Sequence, residues 1–288
     1  MARLDKAPRL TLINGEPHLV WGDEVIKVPR LKHGALFLMS GYIGSQLFGC
    51  EYKLHLDYSR GRIITRPVIH GMLEHSRQLG VDEEGIGMEP GWNSVLINRG
   101  EEGVYFFNEK MKNWIGYADF NKPYVQEVSL VMVRNNVPIL GLPDLVINSD
   151  GKPYFILELK TTNKPRNLRV LRRQEEFQAI SYFHMMRYLN LNPVGVGVLK
   201  VLRNGGFRLL NNVDSVIKGV ENRRGGDVVK LSSDAVLHVI NPGDYEDFIK
   251  NVDRAIEYWL GSRNPVPNPN AGLCRVCEHR GICPFARY

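Results

Sequence analysis

The stretch that most constrains this chain is residues 138–162, Pro-Ile-Leu-Gly-Leu-Pro-Asp-Leu-Val-Ile-Asn-Ser-Asp-Gly-Lys-Pro-Tyr-Phe-Ile-Leu-Glu-Leu-Lys-Thr-Thr. Two apolar, β-branched and aromatic runs flank a Ser-Asp-Gly-Lys turn, which predicts a β-hairpin. Charges interrupt the runs only at Asp144 on the first strand and at Glu158 and Lys160 on the second. Strand side chains alternate between faces, so Glu158 and Lys160 share one. An acid and a base on a buried strand are costly unless they pair or bind something. The turn decides where Asp144 points. A two-residue Asp150-Gly151 loop sends it to the opposite face. A three-residue loop, Ser149 to Gly151 with Gly151 left-handed as a bulge, puts Asp144, Glu158 and Lys160 together, and this is the arrangement expected.

Two carboxylates and a lysine on adjacent strands can hold a divalent cation and activate a water. The carboxylates are hard oxygen ligands, and the lysine can orient the nucleophile and steady charge on a pentavalent phosphate. A structural salt bridge within the hairpin is the plainer reading of the same pattern. Pro143-Asp144 followed by Glu158-Leu159-Lys160 resembles the PD-(D/E)XK nuclease signature.

The chain of 288 residues can build one large domain or two small ones. Its 43% hydrophobic and 24% charged residues are ordinary for a globular protein. No uninterrupted apolar run is long enough for a membrane span, and the start does not read as a secretory signal, so the cytoplasm is expected. A net charge of +6 permits a nucleic-acid partner. Four cysteines in a cytoplasmic chain point to metal rather than disulfides.

Asn14-Gly15 within residues 10–28 predicts a hairpin, and helical spacing runs from Gly34 to Tyr58. A helix over 62–80 has Val68, Ile69, Met72, Leu73 and Leu79 for its apolar side. Residues 81–124 carry Tyr105, Phe106, Phe107, Trp114, Tyr117, Phe120 and Tyr124, read as packing, with stacking on bases as the alternative. A strand over 125–133 precedes the central hairpin. A helix over about 174–189 buries Phe177, Ile180, Phe183 and Met185 or Met186, and a strand covers 194–201. The middle therefore reads helix, three strands, helix, strand, a mixed α/β core. Residues 204–245 read as a strand pair around a basic segment at Arg223 to Gly226. An amphipathic helix spans 245–260, and Pro265, Pro267 and Pro269 form a stiff connector to the tail.

The αβββαβ order resembles the PD-(D/E)XK core, a mixed central sheet flanked by helices, and two motifs resemble its RecB-type branch. Gln178-Ala-Ile-Ser-Tyr182 matches the Gln-x-x-x-Tyr element. Val68-Ile69-His70-Gly71-Met72-Leu73-Glu74 is similar to the first motif, with His70 as the metal ligand and His75 as its rival; the usual glycine before the histidine is Arg66. The resemblance implies Mg²⁺ or Mn²⁺ held by His70, Asp144, Glu158 and the carbonyl of Leu159, with Lys160 acting on the attacking water. It implies support from Gln178 and Tyr182, and Glu127 is a further carboxylate on the preceding strand. Lys164, Arg166, Arg169, Arg172 and Arg173 form a one-signed run next to this constellation, read as a phosphate contact surface.

Cys274-x-x-Cys277-x5-Cys283 closes the chain, and Cys50 is the only other cysteine. Four thiolates suit a 4Fe–4S cluster or, as the second choice, zinc. An N-terminal cysteine and a C-terminal triplet around a RecB-type core resemble the CRISPR-associated iron–sulfur nuclease family and the nuclease domains of helicase–nuclease repair complexes. The expected organisation is residues 1–60, with hairpin, helix and first cysteine; 61–204, the nuclease core with an insertion at 81–124; and 205–288, a helix and four-cysteine metal-cluster subdomain. The resemblance implies a metal-dependent deoxyribonuclease acting on single-stranded DNA ends. CRISPR integrase proteins or a helicase are its implied partners. The alternative is a non-catalytic nucleic-acid-binding scaffold that keeps the fold.

Overall fold

The structure is a computed structural model that describes residues 9–21, 24–63, 65–80, 105–108, 113–117, 121–126, 128, 130–188, 191–221 and 223–287. Strands β1 (Arg9–Ile13), β2 (Glu16–Trp21) and β3 (Glu24–Lys27) form an antiparallel sheet. Asn14 and Gly15, both at positive φ, close its first turn as a two-residue hairpin. A short strand β4 (Leu38–Met39) leads into helices α1 (Ser40–Phe48), α2 (Glu51–Arg60) and α3 (Arg66–Leu79). A two-stranded ribbon, β5 (Tyr105–Asn108) and β6 (Asn113–Tyr117), lies in the predicted insertion; Phe120 and Glu127 lie outside the described residues.

The predicted strand over 125–133 is two strands in two sheets. β7 (Tyr124–Gln126) joins the central sheet, whereas β8 (Leu130–Arg134) turns back through Asn135 and Asn136, both left-handed, into β9 (Val137–Gly141). β8, β9 and β4 form a separate three-stranded sheet. The chain re-enters the central sheet through Leu142-Pro143-Asp144 and continues as β10 (Leu145–Ser149) and β11 (Lys152–Thr162). Helix α4 (Arg173–Tyr188) then crosses to β12 (Gly195–Leu202), which runs parallel to β11. Among the described residues the central sheet has the order β13-β14-β12-β11-β10-β7, with β13 (Val228–Lys230) and β14 (Ala235–Ile240) antiparallel at its far edge.

The hairpin turn differs from expectation. Asp150 and Gly151, both at positive φ, form a two-residue turn, and the ladder starts at Ser149–Lys152. The register shifts between Ile147 and Asn148, leaving Tyr154 as an extra residue on β11. Pro153 has no N–H for the ladder, which favours a bulge at this point. That added residue restores the parity a two-residue turn would have broken. Leu145 pairs with Leu157, so the same register carried back one residue sets Asp144 opposite Glu158.

Alternation along β11 sorts the core into two layers. Ile156 faces α1, α4 and α6 (Tyr245–Trp259) in a cluster that also holds Val146, Val198, Phe177, Tyr182 and Trp259. Leu157 and Leu159 face the other layer, with α5 (Val213–Val220), Phe207 and Leu79. Glu158 and Lys160 therefore emerge on the α4 side, as does Asp144. In the 204–245 region α5 was not expected, and the β13–β14 pair follows the basic Arg223–Gly226 segment rather than enclosing it. Beyond α6 a proline-rich connector reaches α7 (Ala271–Arg275) and the cysteine tail.

Candidate active site

Asp144, Glu158 and Lys160 meet at one end of the central sheet. Asp144 is 7% exposed and Glu158 is 3% exposed. Asp144 stands just before β10, where its Oδ2 accepts from the Leu159 N–H at 2.6 Å. Both backbone polar groups of a strand residue leave on the same edge, so the Leu159 carbonyl is directed to the Asp144 side as well. Lys160 Nζ lies 2.5 Å from Glu158 Oε1 and donates to Gln178 Oε1 at 3.0 Å. Gln178 Nε2 donates to the Tyr182 hydroxyl at 2.7 Å. Residues four apart on α4 lie on one face, and here that face delivers both side chains to the lysine.

Two glycines admit α4 to this position. A Cβ on Gly141, at the end of β9, would stand 2.8 Å from the Tyr182 ring, and one on Gly41 of α1 would stand 3.2 Å from the Gln178 amide. The close approach of both elements to the Gln178–Tyr182 face depends on the missing side chains.

The histidine beside the carboxylates is His75, not His70. His75 Nε2 lies 2.9 Å from Asp144 Oδ1, whereas His70 is exposed on α3. Five residues turn a helix by roughly 140° beyond a full turn, so the two histidines cannot face the sheet together. Of the apolar side expected for α3, Leu79 is buried but the middle of the stripe is not. Ile69, Met72 and Leu73 are exposed, while Glu74, Gln78 and Leu79 are buried. Gln78 donates to the Phe207 carbonyl and accepts from the Leu209 N–H, so this helix side satisfies loop backbone groups that an apolar stripe would strand.

Burial and the neighbouring Asp144 push the Glu158 carboxyl up to about 7, against the opposing pull of Lys160. Burial works against charge on Lys160, but Glu158 and Asp144 outweigh it and raise its value. Burial opposes charge on His75 too, and Asp144 reverses the balance upward. Tyr182 is pushed up by burial, then by both carboxylates, and stays protonated. Glu158, kept part-protonated, thus shares the site with Lys160 and His75, whose charged forms the carboxylates favour. Glu158 Oε2 is buried without a hydrogen-bond partner, and such an atom calls for a cation or a water. The donor set of hard carboxylate oxygens, one imidazole and a backbone carbonyl fits Mg²⁺ or Mn²⁺.

The five predicted basic residues line one exposed segment. Lys164, Arg166, Arg169, Arg172 and Arg173 are all exposed, around a short 3₁₀ turn whose Leu168 is buried. Arg173 lies over the Phe48 ring at 5.1 Å. Sequence reasoning missed Arg203 at the end of β12, which donates to Thr161 Oγ1 at 3.2 Å and is the nearest neighbour a Cβ on Gly71 of α3 would meet.

The four cysteines are free thiols. Cys50 caps the start of α2, and the tail packs on that helix. Lys53 pairs with Glu278 at 3.2 Å, His279 Nε2 lies 2.8 Å from Asp57 and Phe285 meets the Tyr52 ring edge-on. Burial raises the Cys277 thiol, the His279 backbone N–H opposes this, and Cys50 lies near enough to add to the rise. Among the described residues no three His, Cys, Asp or Glu side chains stand in a ready-made metal-holding arrangement, here or at the carboxylates.

A buried acid pair with a lysine thus stands at one end of a mixed sheet, backed by a Gln-x-x-x-Tyr helix face. A family model described as the PD-(D/E)XK nuclease superfamily matches residues 77–284, and the chain belongs to that superfamily. Its members are metal-dependent nucleases in general, typically using Mg²⁺ or Mn²⁺. A solved structure titled "Crystal structure of SSO0001" is similar at 16% identity, with a TM-score of 0.36 over 59% of this chain and 63% of that one. The chain thus spans less than two thirds of that structure's length. None of the curated proteins matches. Among the described residues no helix is long and apolar enough to cross a membrane.

Proposed function

We propose that this chain is a cytoplasmic deoxyribonuclease that hydrolyses phosphodiester bonds in single-stranded DNA, attacking chiefly from ends. The observation that carries the reading is the buried, unpartnered Glu158 Oε2 opposite Asp144 and beside Lys160. Asp144, Glu158, the Leu159 carbonyl and His75, which takes the place expected of His70, would hold Mg²⁺ or Mn²⁺. The ion supplies a lowered water pKa and a counter-charge for the phosphate. Lys160, held between Glu158 and Gln178, orients the attacking oxygen and steadies charge on the phosphate as it becomes pentavalent. Gln178 keeps the ammonium aimed, and Tyr182 in turn fixes the Gln178 amide. The exposed run from Lys164 to Arg173 would bind the strand through its phosphates.

The four cysteines would hold a structural 4Fe–4S cluster, with zinc as the second occupant, clasping α2 to the tail. A role in CRISPR spacer acquisition or in recombination and repair suits such a nuclease, with integrase proteins or a helicase as partners. The test is cleavage of end-labelled single-stranded DNA, duplex DNA and RNA with Mg²⁺, with Mn²⁺ and with chelator. Metal-dependent loss of single-stranded DNA is expected. Tight DNA binding without cleavage under any metal would favour the scaffold reading.

A further inference from the structure

Three buried side chains of the α4 layer end on the backbone of the basic segment that leaves the candidate site. Lys200 on β12 lies beside Lys160 in the parallel register, is 4% exposed and donates to the Val170 carbonyl. His238 on β14, equally buried, bonds through Nε2 to the Leu168 carbonyl at 2.7 Å. Glu175, in the first turn of α4, accepts from the Arg172 N–H at 3.0 Å and pairs with Lys200 at 2.7 Å. Three backbone groups two residues apart, at Leu168, Val170 and Arg172, are thus held from beneath. Among the described residues the flanking Lys164, Arg166, Arg169, Arg172 and Arg173 have no carboxylate partner within salt-bridge distance.

Fold stability alone does not call for such a cluster. A buried ion pair is commonly matched or bettered by well-packed apolar residues, because desolvation offsets the attraction. What an apolar trio could not do is hold backbone polar groups of a segment that makes no ladder bonds of its own. A chain with five unpaired cations, left unheld, would splay by self-repulsion and lose entropy on meeting a phosphate backbone. Glu175 also lies close enough to Lys160 to help keep it charged, so one carboxylate ties the held segment to the lysine of the site.

We propose that Lys200, Glu175 and His238 are positioning residues that fix the Lys164–Arg173 segment as a preorganised phosphate rail leading a nucleic-acid strand to Lys160. The proposal rests on the nuclease reading above and adds the device that presents its substrate. The three do not touch the substrate; they act through the segment.

The experiment measures binding of a labelled single-stranded oligonucleotide between 50 and 200 mM salt, a range over which phosphate contacts are resolved as about 0.7 in log–log slope each. It is run with cleavage kinetics and thermal melts on the full chain. His238→Leu should weaken binding and raise KM several-fold with a shallower salt slope, while kcat at saturating DNA stays within about twofold, as for lost uniform binding. His238→Gln, which keeps an N–H donor, should recover the parent KM. Should His238→Leu fail to fold, the apolar double variant Lys200→Met/Glu175→Leu takes its place, read on Kd and salt slope alone because Glu175 also bears on Lys160. If these variants keep the parent Kd and slope while Arg169→Ala/Arg172→Ala/Arg173→Ala loses both, the rail is not held this way and the nuclease reading stands. If His238→Gln is as impaired as His238→Leu, the role is packing and the proposal falls. If the triple arginine variant binds like the parent, the segment is not a substrate surface and the proposal falls with that reading.

Discussion

Glu158 carries one carboxylate oxygen on Lys160 and another with no partner, and burial beside Asp144 raises its value to about 7. The unfolded chain ionises this group near pH 4.3, so between there and about pH 7 the folded state binds the extra proton. Its contribution to stability is therefore neutral at low pH, falls as pH rises through that window, and is fully unfavourable above it. In chelator, Glu158→Gln, which mimics the protonated acid, should melt several degrees above the parent at pH 8 and alike near pH 4.5. The difference corresponds to roughly 1–3 kcal/mol, an order of magnitude for a shift of this size. Equal melts at pH 8 would mean that the carboxylate is better solvated than its burial shows. His184 titrates in the other direction. Burial lowers its value, and Nε2 sits 3.0 Å from the Pro242 carbonyl. The His184 contribution should thus be lost as pH falls below about 6.5, where the unfolded imidazole takes up a proton first, so any melting deficit of His184→Gln against the parent should shrink from pH 6.5 to 5.

At the scale of elements, the hairpin was legible because its apolar alternation and Asp-Gly turn are local. The bulge that brings Asp144 round to Glu158 was not, since it depends on how a proline-bearing strand pairs rather than on the turn. The split of the predicted 125–133 strand was hidden for a similar reason: β7 and β8 choose different partners, and strand choice is a tertiary property. On α3 only Leu79 of the expected apolar side is buried, and the histidine that meets Asp144 is the rival, His75. Helical spacing shows a stripe, not which stripe faces polar loop backbone. The tail is likewise held by more than its cysteines. Glu51 at the start of α2 accepts two bonds from Arg263, at 2.6 and 2.7 Å, and one from the Val266 N–H at 2.6 Å. Gln46 joins it at 2.5 Å and receives the Trp259 indole N–H. This network fastens the connector to α2 without any metal. Glu51→Ala leaves the part-buried Arg263 guanidinium only the longer contact to Glu257, at 3.6 Å, among its carboxylates and should cost about 1–3 kcal/mol. It should also expose the connector near Pro265 to limited proteolysis. Cys277→Ala, which removes one thiolate of the proposed cluster site, should instead leave the connector resistant. A connector cut fast in Cys277→Ala but not in Glu51→Ala would make the cysteine site, not Glu51, its fastening.

Across the whole molecule, charge and topology converge on one end of the sheet. A net charge of +6 is modest, but the five exposed cations between Lys164 and Arg173 are gathered where β11 leaves the carboxylates. Composition could report the first fact and sequence position the second. The support beneath them could not be read, because Lys200, Glu175 and His238 come from β12, α4 and β14 and resemble ordinary core-edge polar residues in one dimension. The central claim, that Asp144, Glu158 and Lys160 form a metal-dependent hydrolytic site, is tested most directly by single-turnover cleavage. Parent, Glu158→Ala and Lys160→Ala would be mixed in excess with end-labelled single-stranded DNA in Mn²⁺, with Mn²⁺ affinity measured by calorimetry on the same samples. Glu158→Ala should lose both metal affinity and cleavage. Lys160→Ala should keep the metal but lose on the order of 100-fold or more in rate, the scale of removing one preorganised charge from a transition state. Cleavage by Glu158→Ala at the parent's rate would contradict the account.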